Sequence, residues 1–260
     1  MDLALKNRVA LVTGASQGIG FETAMLLAQE GVKVALVARR QSVLQQAGNA
    51  IATQTGHQPL LIAADIATPE GPIMAIEQVL STYGQLDILV NNAGSSASGP
   101  FLDADDAMWQ ADLDLKLFGA IRCIRAALPH LEQSQAPAII NVTIVSAKAP
   151  PANSLPTSVT RAAGIALTKS LANELGSKGI RVNTVCLGRV RSAQVERRWK
   201  REAPELSWEA YSAQQGKAVP LGRLGEASDV ANSIVFLASP RAGYITGASL
   251  NIDGGRGATV

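Results

Sequence analysis

Apolar and polar positions succeed one another along this chain as short buried strands separated by amphipathic helices. Runs rich in valine, isoleucine and leucine are typical of parallel strands buried on both faces, and the segments between them have helical periodicity. Strands are predicted at residues 9–13, 32–38, 59–64, 86–90 and 138–142, and helices at 42–55 and 69–83. This alternation favours right-handed βαβ units and therefore an α/β fold with helices on both faces of one parallel sheet.

Residues 9–31 combine an apolar strand, a glycine-spaced turn and a helix that a glycine closes. Gly14, Gly18 and Gly20 allow a tight turn and a close approach of the backbone to a ligand. The first amides of the following helix, together with the positive end of its dipole, favour an anion at this point. Because the turn directly follows a strand near the start of an α/β pattern, it predicts a site for a dinucleotide pyrophosphate.

The second predicted strand ends at Arg39 and Arg40, and no acidic residue stands there. An acid at this point commonly binds the ribose 2′-hydroxyl of NAD, whereas a basic residue accommodates the 2′-phosphate of NADP. We therefore expect NADP(H) rather than NAD(H), with Arg39 at the phosphate. The alternative is that the arginines only solvate the strand end, which applies more readily to Arg40.

Length and composition exclude several classes of function. The chain has 260 residues with no linker-like segment, which predicts a single domain at 1–260. A net charge of +2 produces no field that favours nucleic acid or a membrane as partner. Cys123 and Cys186 lack the spacing of a metal or disulfide site, so no metal is expected. Without a signal-peptide pattern or a long apolar run, we expect a soluble cytoplasmic protein.

Motifs spread over essentially the whole chain resemble the short-chain dehydrogenase/reductase family. They are T-G-A-S-Q-G-I-G at 13–20, Asp65-Ile66, N-N-A-G at 91–94, G-I-R-V-N-T-V at 179–185, the stretch 220–231, and I-T-G-A-S-L-N-I-D-G-G at 245–255. The resemblance implies a doubly wound Rossmann fold with seven parallel strands. It also implies a dinucleotide across the carboxyl edge of the sheet and a homotetramer.

The same resemblance implies which residues contact the cofactor and which cover the substrate. The expected cofactor residues are Gly14, Ser16, Gly18, Ile19, Gly20, Arg39, Asp65, Ile66, Asn92, Gly94, Arg161 and Val190. Residues 192–217 are expected to form a lid of one or two helices. Within the lid, the charge-rich segment 196–202 is interpreted as a solvated helix face.

The family's reaction depends on an Asn, Ser, Tyr and Lys relay, and this chain departs from it at every position. The stretch 162–175 matches the family's helix, and counting back from it places Thr157 at the tyrosine position and Arg161 at the lysine position. The asparagine position is Lys116, and the serine position is Ile144.

Either Thr143 or Ser146 remains open as a shifted replacement for the serine. The predicted substrate pocket consists of Lys116, Thr143, Ile144, Thr157 and Arg161. Lys116 and Arg161 are expected to place two cations near this pocket, where they attract an anionic ligand or stabilise an oxyanion. The alternative is that their long side chains only fill the space of the missing tyrosine ring or extend to solvent.

A threonine cannot replace the family's tyrosine as an acid. A phenol has a pKa of about 10, whereas an aliphatic hydroxyl lies near the roughly 15.7 of water, and this gap costs roughly 7 to 8 kcal/mol. Arg161 stays cationic, so it can hydrogen-bond the cofactor ribose but cannot carry a proton.

The leading interpretation is therefore an NADP(H)-binding oxidoreductase by kinship, whose standard tyrosine-dependent hydride transfer is lost or severely weakened. A non-catalytic scaffold or regulatory subunit is one alternative. The other is an enzyme with different chemistry: elimination, isomerisation, or reduction assisted by Lys116 and water. The intact glycine turn and Arg39 favour a retained cofactor and argue against the scaffold.

Overall fold

A computed structural model covers residues 2–259, apart from the side chains of residues 193 and 194. In this part of the chain, seven parallel strands form one sheet in the order β3-β2-β1-β4-β5-β6-β7. The strands are β1 (Val9–Thr13), β2 (Lys33–Ala38), β3 (Leu60–Ala63), β4 (Ile88–Asn91), β5 (Ala138–Ile144), β6 (Arg181–Leu187) and β7 (Ser249–Ile252). The doubly wound Rossmann fold expected from the sequence is confirmed.

Helices cover both faces of this sheet. They are α1 (Gly18–Gln29), α2 (Gln41–Thr55), α3 (Glu70–Tyr83), α4 (Asp106–Leu113), α5 (Gly119–Leu131), α6 (Thr157–Leu175), α7 (Ala193–Glu202), α8 (Trp208–Gly216) and α9 (Ala227–Ala238). A π-helical turn, Asp114–Phe118, joins α4 to α5. Within residues 2–259, no helix has both the length and the apolar composition needed to cross a membrane.

The strand order reverses beside β1, and this reversal creates the crevice in which a ligand can lie. From β1 the chain moves outward to β2 and β3, and it then returns to place β4 on the other side of β1. Val12 pairs with Leu36 of β2 and Val90 of β4, so the loops after β1 and β4 leave the sheet side by side. Ligands of open α/β sheets bind at such a switch point, outside the carboxyl ends of the strands.

Alternate residues of the central strands pack into two separate cores. Val12 of β1 joins the cluster with α1 and α9, whereas Leu11 joins the cluster with α3, α5 and α6. Both side chains are fully buried, and burying a valine or leucine contributes roughly 1.5–3 kcal/mol. These two cores hold the carboxyl edge of the sheet in place beneath the loops of the site.

β5 extends two residues beyond the predicted strand 138–142. Thr143 and Ile144 continue the ladder because they pair with Cys186 and Leu187 at the end of β6. The extension fixes the backbone at the position where the family has its serine.

The predicted lid at 192–217 contains two helices, α7 and α8. Trp199 packs edge-on against Trp208, with ring centroids 5.6 Å apart, and Tyr211 lies 6.0 Å from Trp208. The guanidinium of Arg191 stacks over Trp208 at 4.5 Å. This aromatic cluster gives the lid a small core of its own.

Candidate active site

The glycine turn between β1 and α1 leaves no room for a side chain at positions 14 and 20. Gly14 adopts a φ of +65°, and a Cβ built on it would lie 2.8 Å from Cα of Ala93. Gly18 has a φ of +59°. A methyl group on Gly20 would overlap the carbonyl oxygen of Gly14 and the side-chain amide of Asn92. The turn therefore needs glycine at 14 and 18 for its conformation and at 20 for its packing.

Asn92 fastens this turn to the loop after β4. Its Nδ2 donates to the carbonyl oxygens of Thr13 at 2.9 Å and Gly14 at 3.2 Å. The Thr13 hydroxyl accepts the backbone amide of Asn92 at 3.0 Å. Asn92 thus holds the turn in shape, which is a structural role in addition to its place beside the cofactor position.

The residues at this end fit the phosphates of a dinucleotide. Side chains at positions 14 and 20 would fill the cradle of this turn. The N-cap residue of α1, Gln17, makes no side-chain hydrogen bond to the first turn of the helix. Within residues 2–259, no side chain caps the first amides of α1, and these amides favour an anion.

A cavity of about 170 Å³, the strand-end cavity, opens where β2 and β3 end. Among the predicted cofactor residues, it is lined by Gly14, Ser16, Arg39, Asp65, Ile66 and Gly94. Arg40 lines it as well, and its Nη2 donates to Gln17 at 3.3 Å. Both arginines are exposed and available to a phosphate, so the structure gives Arg40 a place beside Arg39 that the sequence interpretation did not.

A larger cleft of about 750 Å³, the main cleft, runs from the glycine turn to the lid. Among the predicted residues, it is lined by Gly14, Gly18, Ile19, Asn92, Gly94, Ile144, Thr157, Arg161 and Val190. Lys116, Thr143 and Gly20 do not line either cavity; Gly20 lies under the turn.

Lys116 does not line the main cleft itself but contacts Thr157, which does. Its side chain has no exposed surface; the ammonium forms an ion pair with Asp112 and donates to the Thr157 hydroxyl at 2.8 Å. The residue belongs to the π-helical turn, a rare conformation that is frequent at functional sites. Burial lowers the pKa of Lys116 to about 8; the hydrogen bond to Asp112 opposes this shift and the charge of Arg161 adds to it.

Thr157 connects Lys116 with the cleft. It is the first residue of α6, it lines the cleft, and its hydroxyl oxygen also accepts the backbone amide of Ala97 at 2.9 Å. An aliphatic hydroxyl oxygen has two acceptor positions, and both are used here. Neither of these bonds uses the hydroxyl proton of Thr157, which is therefore available to a further acceptor.

Arg161 follows one helical turn later and is held between β5 and the loop after β4. Its Nη1 donates to the carbonyl of Val142, and its guanidinium covers Gly94 so closely that a methyl group there would overlap it. Burial lowers the pKa of Arg161 to about 10, and the charge of Asp112 counteracts this. Among the described residues, Arg161 Nε and Asp112 Oδ2 are buried without a hydrogen-bond partner.

The structure distinguishes Thr143 from Ser146, the two hydroxyls that the sequence leaves open for the role of the family's serine. Thr143 is buried with its Oγ1 3.1 Å from Sγ of Cys186, facing away from the main cleft. Ser146 lines the cleft beside Ile144. Ser146 is therefore the hydroxyl available to a ligand on this side of the pocket.

Six arginines line the main cleft, and no carboxylate of residues 2–259 lines it. They are Arg40, Arg161, Arg189, Arg197, Arg198 and Arg256. Sequence reasoning selected only Arg161 for this cleft, and the segment 196–202 was interpreted as solvated although two of its arginines face the cleft. The others come from separate loops, so no motif spacing in the sequence brings them together.

Comparisons with known proteins place this geometry in one family. A family model described as Enoyl-(Acyl carrier protein) reductase matches residues 14–256. The 3-oxoacyl-[acyl-carrier-protein] reductase FabG of Staphylococcus epidermidis is 36% identical over 252 residues, which are 96% of this chain and 98% of that protein.

Solved structures extend the likeness to the whole fold. L-sorbose reductase from Gluconobacter frateurii, crystallised with NADPH and L-sorbose, aligns over 100% of both chains with 33% identity and a TM-score of 0.95. A short chain oxidoreductase from Pseudomonas aeruginosa PAO1, described as containing an atypical catalytic center, covers 97% of this chain and 98% of its own, with 37% identity and a TM-score of 0.93. The chain therefore belongs to the short-chain dehydrogenase/reductase family and is an oxidoreductase by kinship.

Proposed function

We propose that this protein binds NADP(H) and that the family's tyrosine-dependent hydride transfer is absent or severely weakened in it. One observation carries the second part: the first turn of α6 presents Thr157, and not a phenol, to the main cleft. Among residues 2–259, the phenol that lines the cleft is Tyr211, which belongs to the aromatic cluster of the lid. The catalytic tetrad is replaced by Lys116, Ile144, Thr157 and Arg161.

The preference for NADP(H) rests on the end of β2. Arg39 and Arg40 line the strand-end cavity, and guanidinium groups pair well with a phosphate. The related L-sorbose reductase was crystallised with NADPH, as was a Pseudomonas aeruginosa PAO1 oxidoreductase with an atypical catalytic center, at 35% identity to this chain. When bound, the reduced cofactor supplies a hydride. Gly14, Ser16, Gly18, Ile19, Arg39, Asp65, Ile66, Asn92, Gly94, Arg161 and Val190 would surround it, with Gly20 supporting the turn.

A second candidate is carbonyl reduction in which Lys116 supplies the proton through Thr157. The hydrogen bond from Lys116 to Thr157 favours it, because the threonine then donates its own proton to a substrate oxygen while a lysine proton replaces it. The threonine never becomes an anion, so the roughly 7 to 8 kcal/mol that separates it from a phenol does not arise. A pKa of about 8 suits Lys116 to exchange a proton near neutral pH.

Turnover by the NADPH-saturated protein tests both candidates. We expect a panel of ketones and aldehydes to be reduced far more slowly than the 1–10³ per second that is typical of enzymes. Ordinary turnover that is unchanged in Thr157→Val and Lys116→Met would contradict the proposal. A measurable rate that falls by about 10²-fold or more in both variants assigns the proton transfer to this pair.

We also propose that the protein is a homotetramer and that it is cytoplasmic. Apolar side chains are exposed on the π-helical turn and on α6, where Phe118 is 40% and Val159 47% exposed. An interface would cover such side chains, and the partner proposed here is a second copy of the chain. Light scattering after size-exclusion chromatography would give a mass of four chains.

A further inference from the structure

Four arginines line the part of the main cleft next to the lid, here called the lid end, and three of them have no carboxylate partner within residues 2–259. Arg189 lies in the loop after β6, Arg197 and Arg198 lie on α7, and Arg256 lies in the loop after β7. Arg198 pairs with Glu202 at 2.7 Å. Arg189, Arg197 and Arg256 have no ion-pair partner within residues 2–259. Three exposed guanidiniums thus line one concave surface without a compensating carboxylate.

The lid holds part of this group toward the cleft. Arg189 Nη1 lies 3.4 Å from Oε1 of Gln215 on α8, which keeps the guanidinium under the lid. Partial burial lowers the pKa of Arg189, and the nearby charges of Arg256 and Arg198 lower it further, so Arg189 is repelled by both of these cations. Cations that repel one another in a cleft are stabilised by a bound anion.

The phosphates of the cofactor are expected to bind arginines other than those of the lid end. These phosphates fit the glycine turn and the two arginines at the end of β2, which line the strand-end cavity. The arginines of the lid end lie instead around Tyr211 and Gln215 of α8, beside the space left for a substrate. Their charge is therefore available to a second ligand.

We propose that the lid end of the main cleft binds a small organic anion, a carboxylate or a phosphate ester, with Arg189, Arg197 and Arg256 as its cationic contacts. This inference rests on the proposed function, because it assigns the chemical class of the ligand that occupies the cleft beside NADP(H). Neutral compounds of the same shape bind more weakly, since they leave the guanidiniums uncompensated.

Matched pairs of probes test the charge requirement. The protein is first saturated with NADPH and then titrated with acetoacetate against methyl acetoacetate, and with dihydroxyacetone phosphate against dihydroxyacetone, following the fluorescence of bound NADPH. We expect at least one anion to bind about tenfold more tightly than its neutral partner, from two or three partly exposed ion pairs. The preference should shrink in about 1 M salt, where the Debye length falls to about 3 Å. A preference for acetoacetate over its methyl ester would identify the ligand as a carboxylate. A preference for dihydroxyacetone phosphate over dihydroxyacetone would identify it as a phosphate ester.

Two variants separate the site from general surface charge. In Arg189→Gln/Arg256→Gln the anion affinity should fall about tenfold, whereas Arg201→Gln, on α7 but outside the cleft lining, should leave it unchanged. Equal affinity for charged and neutral probes, binding of neither anion, or an equal loss in Arg201→Gln would overturn the proposal. Loss of NADPH affinity in the double variant would assign these arginines to the cofactor instead. If NADPH itself fails to bind, the proposed function fails, and the same titrations by calorimetry on the free protein still test the anion site.

Discussion

Gly20 lies directly beneath the glycine turn, and Gly20→Ala should weaken cofactor binding more than Gly18→Ala does. The added methyl would overlap the Gly14 carbonyl and the Asn92 amide, whose Nδ2 donates at 2.9 Å and 3.2 Å to the two backbone carbonyls of the turn. Each such hydrogen bond contributes about 0.5–1.5 kcal/mol, so losing both costs about 1–3 kcal/mol of stability. The reopened turn should raise the Kd for NADPH at least tenfold, a change of about 1.4 kcal/mol.

The assay combines a fluorescence titration with NADPH and urea unfolding for each variant. Gly18→Ala places a methyl group in open space at a φ of +59°, so it should cost only the left-handed strain of about 1–2 kcal/mol. Gly176→Ala, at a helical φ of −58° with nothing near the added methyl group, is the neutral control. Unchanged NADPH affinity in a folded Gly20→Ala variant would refute the assignment of this turn as the cofactor cradle.

Three further predictions concern the cofactor phosphate, the buried lysine and the altered relay. In Arg39→Gln, the ratio of the NADH to the NADPH dissociation constant should fall about tenfold, because a charged contact to the 2′-phosphate is lost; an unchanged ratio would assign the contact to Arg40. The pKa of Lys116 is about 8 in the folded state against 10.5 in the unfolded chain. Between pH 8 and 10.5, the unfolded state therefore binds more protons than the folded state. Across this range the contribution of Lys116 to the free energy of unfolding rises with pH, by on the order of 3 kcal/mol. Urea unfolding should show this rise relative to Lys116→Met/Asp112→Leu, and a flat difference between pH 8 and 10.5 would contradict the burial of the ammonium. A variant that rebuilds the family's relay carries four substitutions: Lys116→Asn, Ile144→Ser, Thr157→Tyr and Arg161→Lys. This variant should reduce ketones measurably with NADPH. If it is stable and binds the cofactor but stays inert, the pocket assignment is contradicted.

The sheet could be predicted from the sequence because its signals are local. Each buried parallel strand is a short apolar run, and the turn after β1 needs glycines whose spacing is visible in the chain. Gly84, which ends α3 with a φ of +74°, is a helix stop of the same local kind. Such features depend on a few neighbouring residues, and the structure has them within a residue or two of the predicted positions.

The orientation of Lys116 could not be predicted in this way. Alignment gave its position in the chain, but the π-helical turn and the carboxylate of Asp112 direct its side chain behind the cleft wall and into contact with Thr157. The π-helical turn has no signature in the helical periodicity of the sequence.

The arginines of the lid end were missed for a different reason. Arg189 and Arg256 follow two strands that are paired in the sheet but lie more than sixty residues apart in the chain. The arginines of α7 have the composition of a solvated helix, and only the position of the lid over the cleft turns two of them inward. Charge density in a cleft is a property of the tertiary structure.

A paired fluorescence titration of the purified protein with NADPH and with NADH tests the central claim most directly. The account predicts saturable binding of NADPH, with a clear preference over NADH that the arginines at the end of β2 explain. Absence of binding to both nucleotides would contradict it, because the glycine turn would then be a relic of the family and the protein would function as a scaffold or regulatory subunit.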